Sequence, residues 1–161
     1  MTENTESDNF FLKEELSKIE SYISYRDKLN VKISKVDVAW HLDHILKTIN
    51  KIYETLETSN PEAFKPNFNL SRTFVYAYGD FPRGFAKSPR IVLPPDVILT
   101  ESLYSQIKEA KESIRKIQDL HPKAHFEHPY FSIIDKKQSI RFLTIHTRHH
   151  LKIIKDILKN K

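Results

Sequence analysis

Apolar residues recur at steps of three and four in four separate segments of the 161-residue chain. This period places them on one face of an α-helix, and a helix with one apolar face must bury that face against other elements. The segments run from Leu12 to about Leu29, from Val38 to near Ser59, from close to Thr100, and from Asp135 onward. We therefore predict an all-α fold, a four-helix bundle of helices about twenty residues long.

The composition supports one helical domain. Only Gly79 and Gly84 occur, both in the same middle segment, so no glycine-rich phosphate loop or series of hairpins is expected. The absence of cysteine excludes disulfides and thiolate ligands within the chain. The length predicts a single domain over residues 1–161, in which residues 1–8 form a flexible, polar and acidic tail. That tail does not resemble a signal peptide, and no uncharged stretch has the length of a membrane span, so we expect a cytoplasmic protein without a membrane partner.

The formal net charge of +5 arises because 26 basic residues exceed 21 acidic ones. A surplus this small over a whole domain does not indicate nucleic-acid binding, which we do not expect.

Turn-forming and capping residues delimit the helices. Ser34 and Asp37 have the spacing of a capping box before the second helix, and Asp135 with Gln138 has it before the last one. Between the second and third helices, residues 61–95 are rich in proline and aromatic residues and keep no single period. We predict a long connection there, in which LSRTFVYAY forms a short helix or a strand.

Seven of the eight histidines lie in the motifs WHLDH, HFEH and HTRHH. At roughly 100° per residue, His146 and His150 both lie near the middle of the apolar face of the last helix. On the second helix, His41 lies about 60° from the centre of the apolar face, whereas His44 lies about twice as far and is expected at the rim. The pattern predicts a metal site formed by His41, His146 and His150, because two histidines four residues apart can offer their imidazoles to one ion.

Three neutral imidazoles suit a divalent transition metal, and we expect zinc or nickel before iron or manganese. Such a centre keeps open positions, at which a water or a thiol loses its proton more easily. The alternative interpretation is a histidine cluster in the core that is held by hydrogen bonds and binds no ion.

The sequences KVDVAWHLDHILKTIN and HPYFSIIDKKQSIRFLTIHTRHHLKII resemble the DinB/YfiT-like superfamily of bacterial metalloenzymes. The resemblance extends from about Asn9 to Leu158, and NFFL, FPRGFAKSPR and HPYF are similar to a branch of domains of unknown function. It implies an up-down-down-up bundle whose metal is held by His41 and the pair in HTRHH. The sequence after the last ligand, Leu151 to Ile153, departs from the Arg-Gly-Gln-like pattern of many members.

Members with an assigned activity are mostly thiol-dependent transferases, so the resemblance implies a small-molecule substrate and a low-molecular-weight thiol. His44, His128 and His149 are candidates for contacts with the metal ligands. Arg72 and Arg83, in the middle connection, are candidates for binding an anionic substrate, although a loop that packs on the bundle would place basic residues there as well.

Two functions remain open on the sequence. The first is a metal-dependent enzyme that activates a thiol or water toward a small electrophile. The second is a non-enzymatic bundle that binds metal or another protein, and Trp40, on the outer side of the second helix, could contribute to a homodimer.

Overall fold

The computed structural model describes residues 9–84 and 87–159, so the predicted tail at residues 1–8 lies outside the described residues. Five α-helices and one two-stranded sheet occur in these two ranges. In chain order they are α1 (Lys13–Tyr22), α2 (Val38–Glu57), α3 (Leu70–Tyr78), α4 (Thr100–Asp119), β1 (His125–His128), β2 (Ser132–Asp135) and α5 (Lys136–Leu158).

Helices α1, α2, α4 and α5 correspond to the four predicted apolar segments, and they share one core. Helix α2 packs against both α4 and α5, and α1 packs against the same two helices. The core contains fully buried side chains from all four, among them Leu16, Ile49, Ile114 and Ile154. Helix α1 is shorter than predicted, because a single 3-10 turn over Ile23–Tyr25 ends its regular part.

The two capping predictions have different outcomes. At α5 the capping box is present: Gln138 N donates to Asp135 Oδ1 over 2.8 Å, and Asp135 N donates to Gln138 Oε1 over 3.0 Å. At α2 the capping residue is Asp37, whose Oδ1 accepts from Trp40 N. Ser34 lies outside the helix and contacts the His41 ring instead.

The prediction of an all-α fold is wrong for residues 125–135, which form an antiparallel hairpin. His125 pairs with Asp135, and His128 pairs with Ser132. Phe131, between the strands, is 1% exposed, and the hairpin joins the core through it. Strands of four residues are too short to establish a period of two in the sequence, so the pattern gave no sign of them.

The long middle connection crosses the surface of the helical core. Its segment LSRTFVYAY, predicted to be a short helix or a strand, forms the helix α3. Asn69 caps α3 by accepting from Arg72 N, and Gly79, at a φ of 80°, ends it in the left-handed conformation that glycine adopts without strain. After α3 the chain returns toward α2 through a turn at Arg90–Val92. None of the helices formed by the described residues combines the length and the apolar character needed to cross a bilayer.

Candidate metal centre

Helices α2 and α5 bring the motifs WHLDH and HTRHH together in the core. His44, His146 and His150 can each place one ring nitrogen so that the three nitrogens lie within 4.8 Å of one another. In the part of the chain that the structure describes, this is the group of three histidine or acidic side chains that could hold a metal ion. The three rings form a compact cluster, with centroids 4.6 to 4.9 Å apart.

The proton of His44 is located by its backbone partner. His44 is 2% exposed, and its Nδ1 lies 2.9 Å from the carbonyl oxygen of Val92. Because a carbonyl only accepts hydrogen bonds, Nδ1 carries the proton and Nε2 carries a lone pair. A backbone carbonyl that fixes the far nitrogen in this way is a common support for a metal-binding histidine.

His146 faces that lone pair. The Nε2 atoms of His44 and His146 lie 3.1 Å apart, and His146 Nδ1 is buried without a hydrogen-bond partner. Two arrangements make this short contact favourable: either His146 Nε2 donates a hydrogen bond to His44 Nε2, or both nitrogens bind a shared cation. At bond lengths of 2.0–2.1 Å, the observed separation corresponds to an angle of about 100° at a shared ion, between octahedral and tetrahedral geometry. The donor set therefore fits a divalent ion.

His150 is oriented by a chain of hydrogen bonds that ends at Ser34. The Ser34 hydroxyl donates to the carbonyl of Val36 over 2.9 Å, so Ser34 Oγ accepts from His41 Nε2 over 3.0 Å. His41 Nδ1 then carries a lone pair, which accepts the proton of His150 Nδ1 over 2.9 Å. His150 Nε2 is left without a proton, as a metal ligand requires.

The electrostatic surroundings keep these rings neutral. Burial, with the neighbouring His44, lowers the pKa of His41 to about 4. Burial also lowers the pKa of His44, although its bond to Val92 acts in the opposite direction. For His146 and His150, burial and the adjacent histidines hold the pKa well below its ordinary value. At neutral pH the cluster consists of neutral imidazoles whose lone pairs are available to a cation.

The positions of the two histidines on α2 differ from those that the helical wheel indicated. His44 was expected at the rim, and that expectation is wrong, because the connection between α2 and α4 covers it. Val92 and Ser88 both contact its ring nitrogens, Ser88 Oγ at 3.3 Å. His41, expected as a ligand, is not in the group of three; its Nδ1 lies 2.9 Å from His150 Nδ1, where it can hold that ring.

His128 and His149, two of the candidates for supporting roles, lie beside the cluster. His128 Nδ1 accepts from the backbone N–H groups of Tyr130 and Phe131, and burial lowers its pKa to about 4. His149 Nδ1 lies 2.9 Å from Asp80 Oδ1, and its ring meets that of His150 at 5.3 Å. Both side chains line the cavity next to the cluster.

Arg72 and Arg83 were candidates for binding an anionic substrate, and both side chains are engaged within the protein. The Arg72 guanidinium is buried and donates to the carbonyls of Phe131 and Ile133 at 3.0 and 3.3 Å. It lies outside the lining of the cavity and fastens α3 to the hairpin, which supports a structural role. Arg83 forms an ion pair of 2.6 Å with Asp156 on α5, next to the residues of the connection that line the cavity.

A cavity of about 480 Å³ opens onto the histidine cluster. Its lining includes all three histidines of the group and comes from α2, α5, the hairpin and the connection after α3. The lining is largely aliphatic and aromatic, and the volume lies within the range of small-molecule sites. Trp40 is part of this wall and stacks on His44 with centroids 5.0 Å apart, so it faces the site rather than only the exterior.

No family model, curated protein or solved structure matches the chain. The resemblance to the DinB/YfiT-like superfamily therefore stays a prediction, which rests on the motifs WHLDH and HTRHH.

Proposed function

We propose that this protein is a metal-dependent enzyme in which His44, His146 and His150 bind one divalent ion, zinc or nickel before iron or manganese. The contact between His44 Nε2 and His146 Nε2 carries the proposal, because the Val92 carbonyl fixes a lone pair on the first of these nitrogens. An ion held by three neutral imidazoles would act as a Lewis acid, making a water or thiol a better nucleophile at neutral pH.

Other residues orient the proposed ligands and form the substrate cavity. His41 and Ser34 hold the ring of His150, and Val92 holds that of His44. The aromatic wall of the cavity excludes water and positions a small electrophile beside the cluster. The cavity favours an enzyme over a closed scaffold, since a purely structural site has no need of an adjacent empty volume of this size.

The superfamily resemblance extends the proposal. It implies that α1, α2, α4 and α5 form an up-down-down-up bundle and that the nucleophile is a low-molecular-weight thiol. The packing of α2 on α4 and α5 is compatible with that arrangement. Joining a thiol to a small electrophile is then the reaction to screen first.

Metal content tests the site. The protein is purified without an affinity tag or chelator, as wild type, His44→Ala, His146→Ala and His121→Ala; His121 is an exposed histidine after α4 and serves as the matched control. We expect close to one equivalent in wild type and the control, and loss in the other two variants. A wild-type protein that stays metal-free after loading with divalent ions would overturn the proposal.

Activity is measured on the metal-loaded proteins. We expect metal-dependent consumption of a thiol and an electrophile by wild type and His121→Ala, and none above background with His146→Ala. Equal rates with all three proteins would show that any observed reaction does not use the cluster.

A further inference from the structure

One side of the cavity is formed by α2. His44, Thr48, Ile52 and Thr55 all line it, and their spacing of four, four and three residues places them on one stripe of the helix. At a rise of 1.5 Å per residue, the stripe from His44 to Thr55 is about 16 Å long. Thr55 is exposed, whereas His44 is buried. Along this stripe the lining therefore passes from solvent, at Thr55, to the buried histidine cluster.

The hairpin and α5 contribute mostly aromatic and aliphatic side chains to the rest of the lining, and the charged residues Lys87 and Glu127, which also line the cavity, are exposed. Phe126 and Phe131 of the hairpin, and Phe142 and Ile153 of α5, all line the cavity. The rings of Phe131 and Phe142 lie 6.1 Å apart and nearly perpendicular, at 73°. Side chains of this kind bind a ligand through its apolar surface and its shape.

Polar groups on the α2 stripe are already engaged within the protein. The hydroxyls of Thr48 and Thr55 donate to the carbonyls of His44 and Lys51, each over 2.8 Å. The ammonium group of Lys51 forms an ion pair of 2.6 Å with Glu54. Along α2, the cavity thus presents methyl and methylene groups, while the histidine cluster supplies the strong polar contacts.

We propose that the cavity binds a small amphipathic molecule with an anionic oxygen or sulfur donor at the histidine cluster and an apolar body that extends along α2 toward Thr55. The inference deepens the proposed function and rests on it for the donor end. The apolar body rests on the cavity alone.

The test uses a series of straight-chain alkyl hydroxamates, from acetohydroxamate upward, with the zinc-loaded protein. Trp40 is the single tryptophan and lies in the cavity wall, so its fluorescence reports binding without a label. Each buried methylene should tighten binding about fourfold. The gain should stop once the chain spans the roughly 16 Å between His44 and Thr55. Equal affinity for short and long chains would overturn the proposal.

Two variants measure how far the ligand extends along the stripe. Thr48 lies one helical turn, about 6 Å, from His44, and Thr55 lies near the mouth. Thr48→Met should end the gain in affinity after the first few methylenes, whereas Thr55→Met should affect only the longest chains. If the two variants end the gain at the same chain length, the ligand does not lie along α2. The Thr55→Met variant, at an exposed position, keeps the comparison with wild type available should Thr48→Met fail to fold.

Neutral straight-chain alcohols, measured with the same protein, separate the two proposals. If the protein takes up no zinc but binds longer alcohols more tightly, the proposed metal function is overturned, and binding of an apolar ligand in the cavity is supported. Zinc uptake without any dependence on chain length, in either series, would overturn the apolar body and leave the metal function standing.

Discussion

Removing the imidazole of His41 should weaken metal binding without abolishing it. In His41→Ala, His150 Nδ1 loses the acceptor that now lies 2.9 Å away, so its proton is no longer confined to that nitrogen. The ring keeps its packing against His146, with centroids 4.6 Å apart. Side chains that orient a metal ligand typically contribute ten- to a hundredfold in affinity, so we expect the zinc Kd to rise by about 10- to 100-fold, or about 1.4 to 2.7 kcal/mol.

A competition titration against a chromogenic chelator at neutral pH measures these constants. Ser34→Ala acts one hydrogen bond farther from His150 and should raise the Kd less than His41→Ala does. His121→Ala should leave it unchanged. An unchanged Kd in His41→Ala would refute the proposed hydrogen-bond chain. A loss as complete as in His44→Ala would instead make His41 a ligand, as the sequence predicted.

Three further predictions concern stability, each measured by urea denaturation. Arg72→Met leaves the buried Phe131 carbonyl without its guanidinium donor and removes one of the two side-chain donors to the Ile133 carbonyl, which keeps Asn67. It should cost about 2 to 4 kcal/mol, whereas a change below about 0.5 kcal/mol would contradict a structural role. Burial lowers the pKa of His128 from 6.5 to about 4. Between these two values the unfolded chain binds the proton and the folded protein does not, so the free energy of unfolding decreases as the pH falls from about 6.5 to about 4. Asparagine can still accept from the two backbone N–H groups and does not titrate in this range. The free energy of unfolding of His128→Asn should therefore fall by about 2 to 3 kcal/mol less than that of wild type between about pH 7 and about pH 4.5. Equal decreases in the two proteins would contradict the assignment. Asp135→Ala removes the cap of α5 and should cost about 1 kcal/mol, and an unchanged midpoint would argue that the capping box contributes nothing.

The long helices and the cap of α5 were predictable because they depend on local sequence. The period of the apolar residues located α2, α4 and α5, and the spacing of Asp135 and Gln138 identified the capping box that the structure contains. The pairing of His146 with His150 was predictable for the same reason, since residues four apart on a helix lie one above the other.

The burial of His44, and its place beside His146 and His150, was not predictable from the helical wheel. A wheel treats the positions away from the apolar face as exposed, but here the middle connection covers that side of α2 and brings Val92 onto His44. The apolar period of α2 carries no information about what a distant irregular segment covers. The hairpin was missed for a related reason, since its place is set by Arg72 and by the burial of Phe131 rather than by a repeating pattern.

Anomalous diffraction from crystals of the zinc-loaded protein locates the ion and its ligands. We expect one strong peak at the zinc edge, about 2.0 to 2.1 Å from a ring nitrogen of each of His44, His146 and His150. We also expect His41 Nδ1 to remain hydrogen-bonded to His150. A peak coordinated by His41 in place of His44, or no peak between α2 and α5, would contradict the proposed metal site.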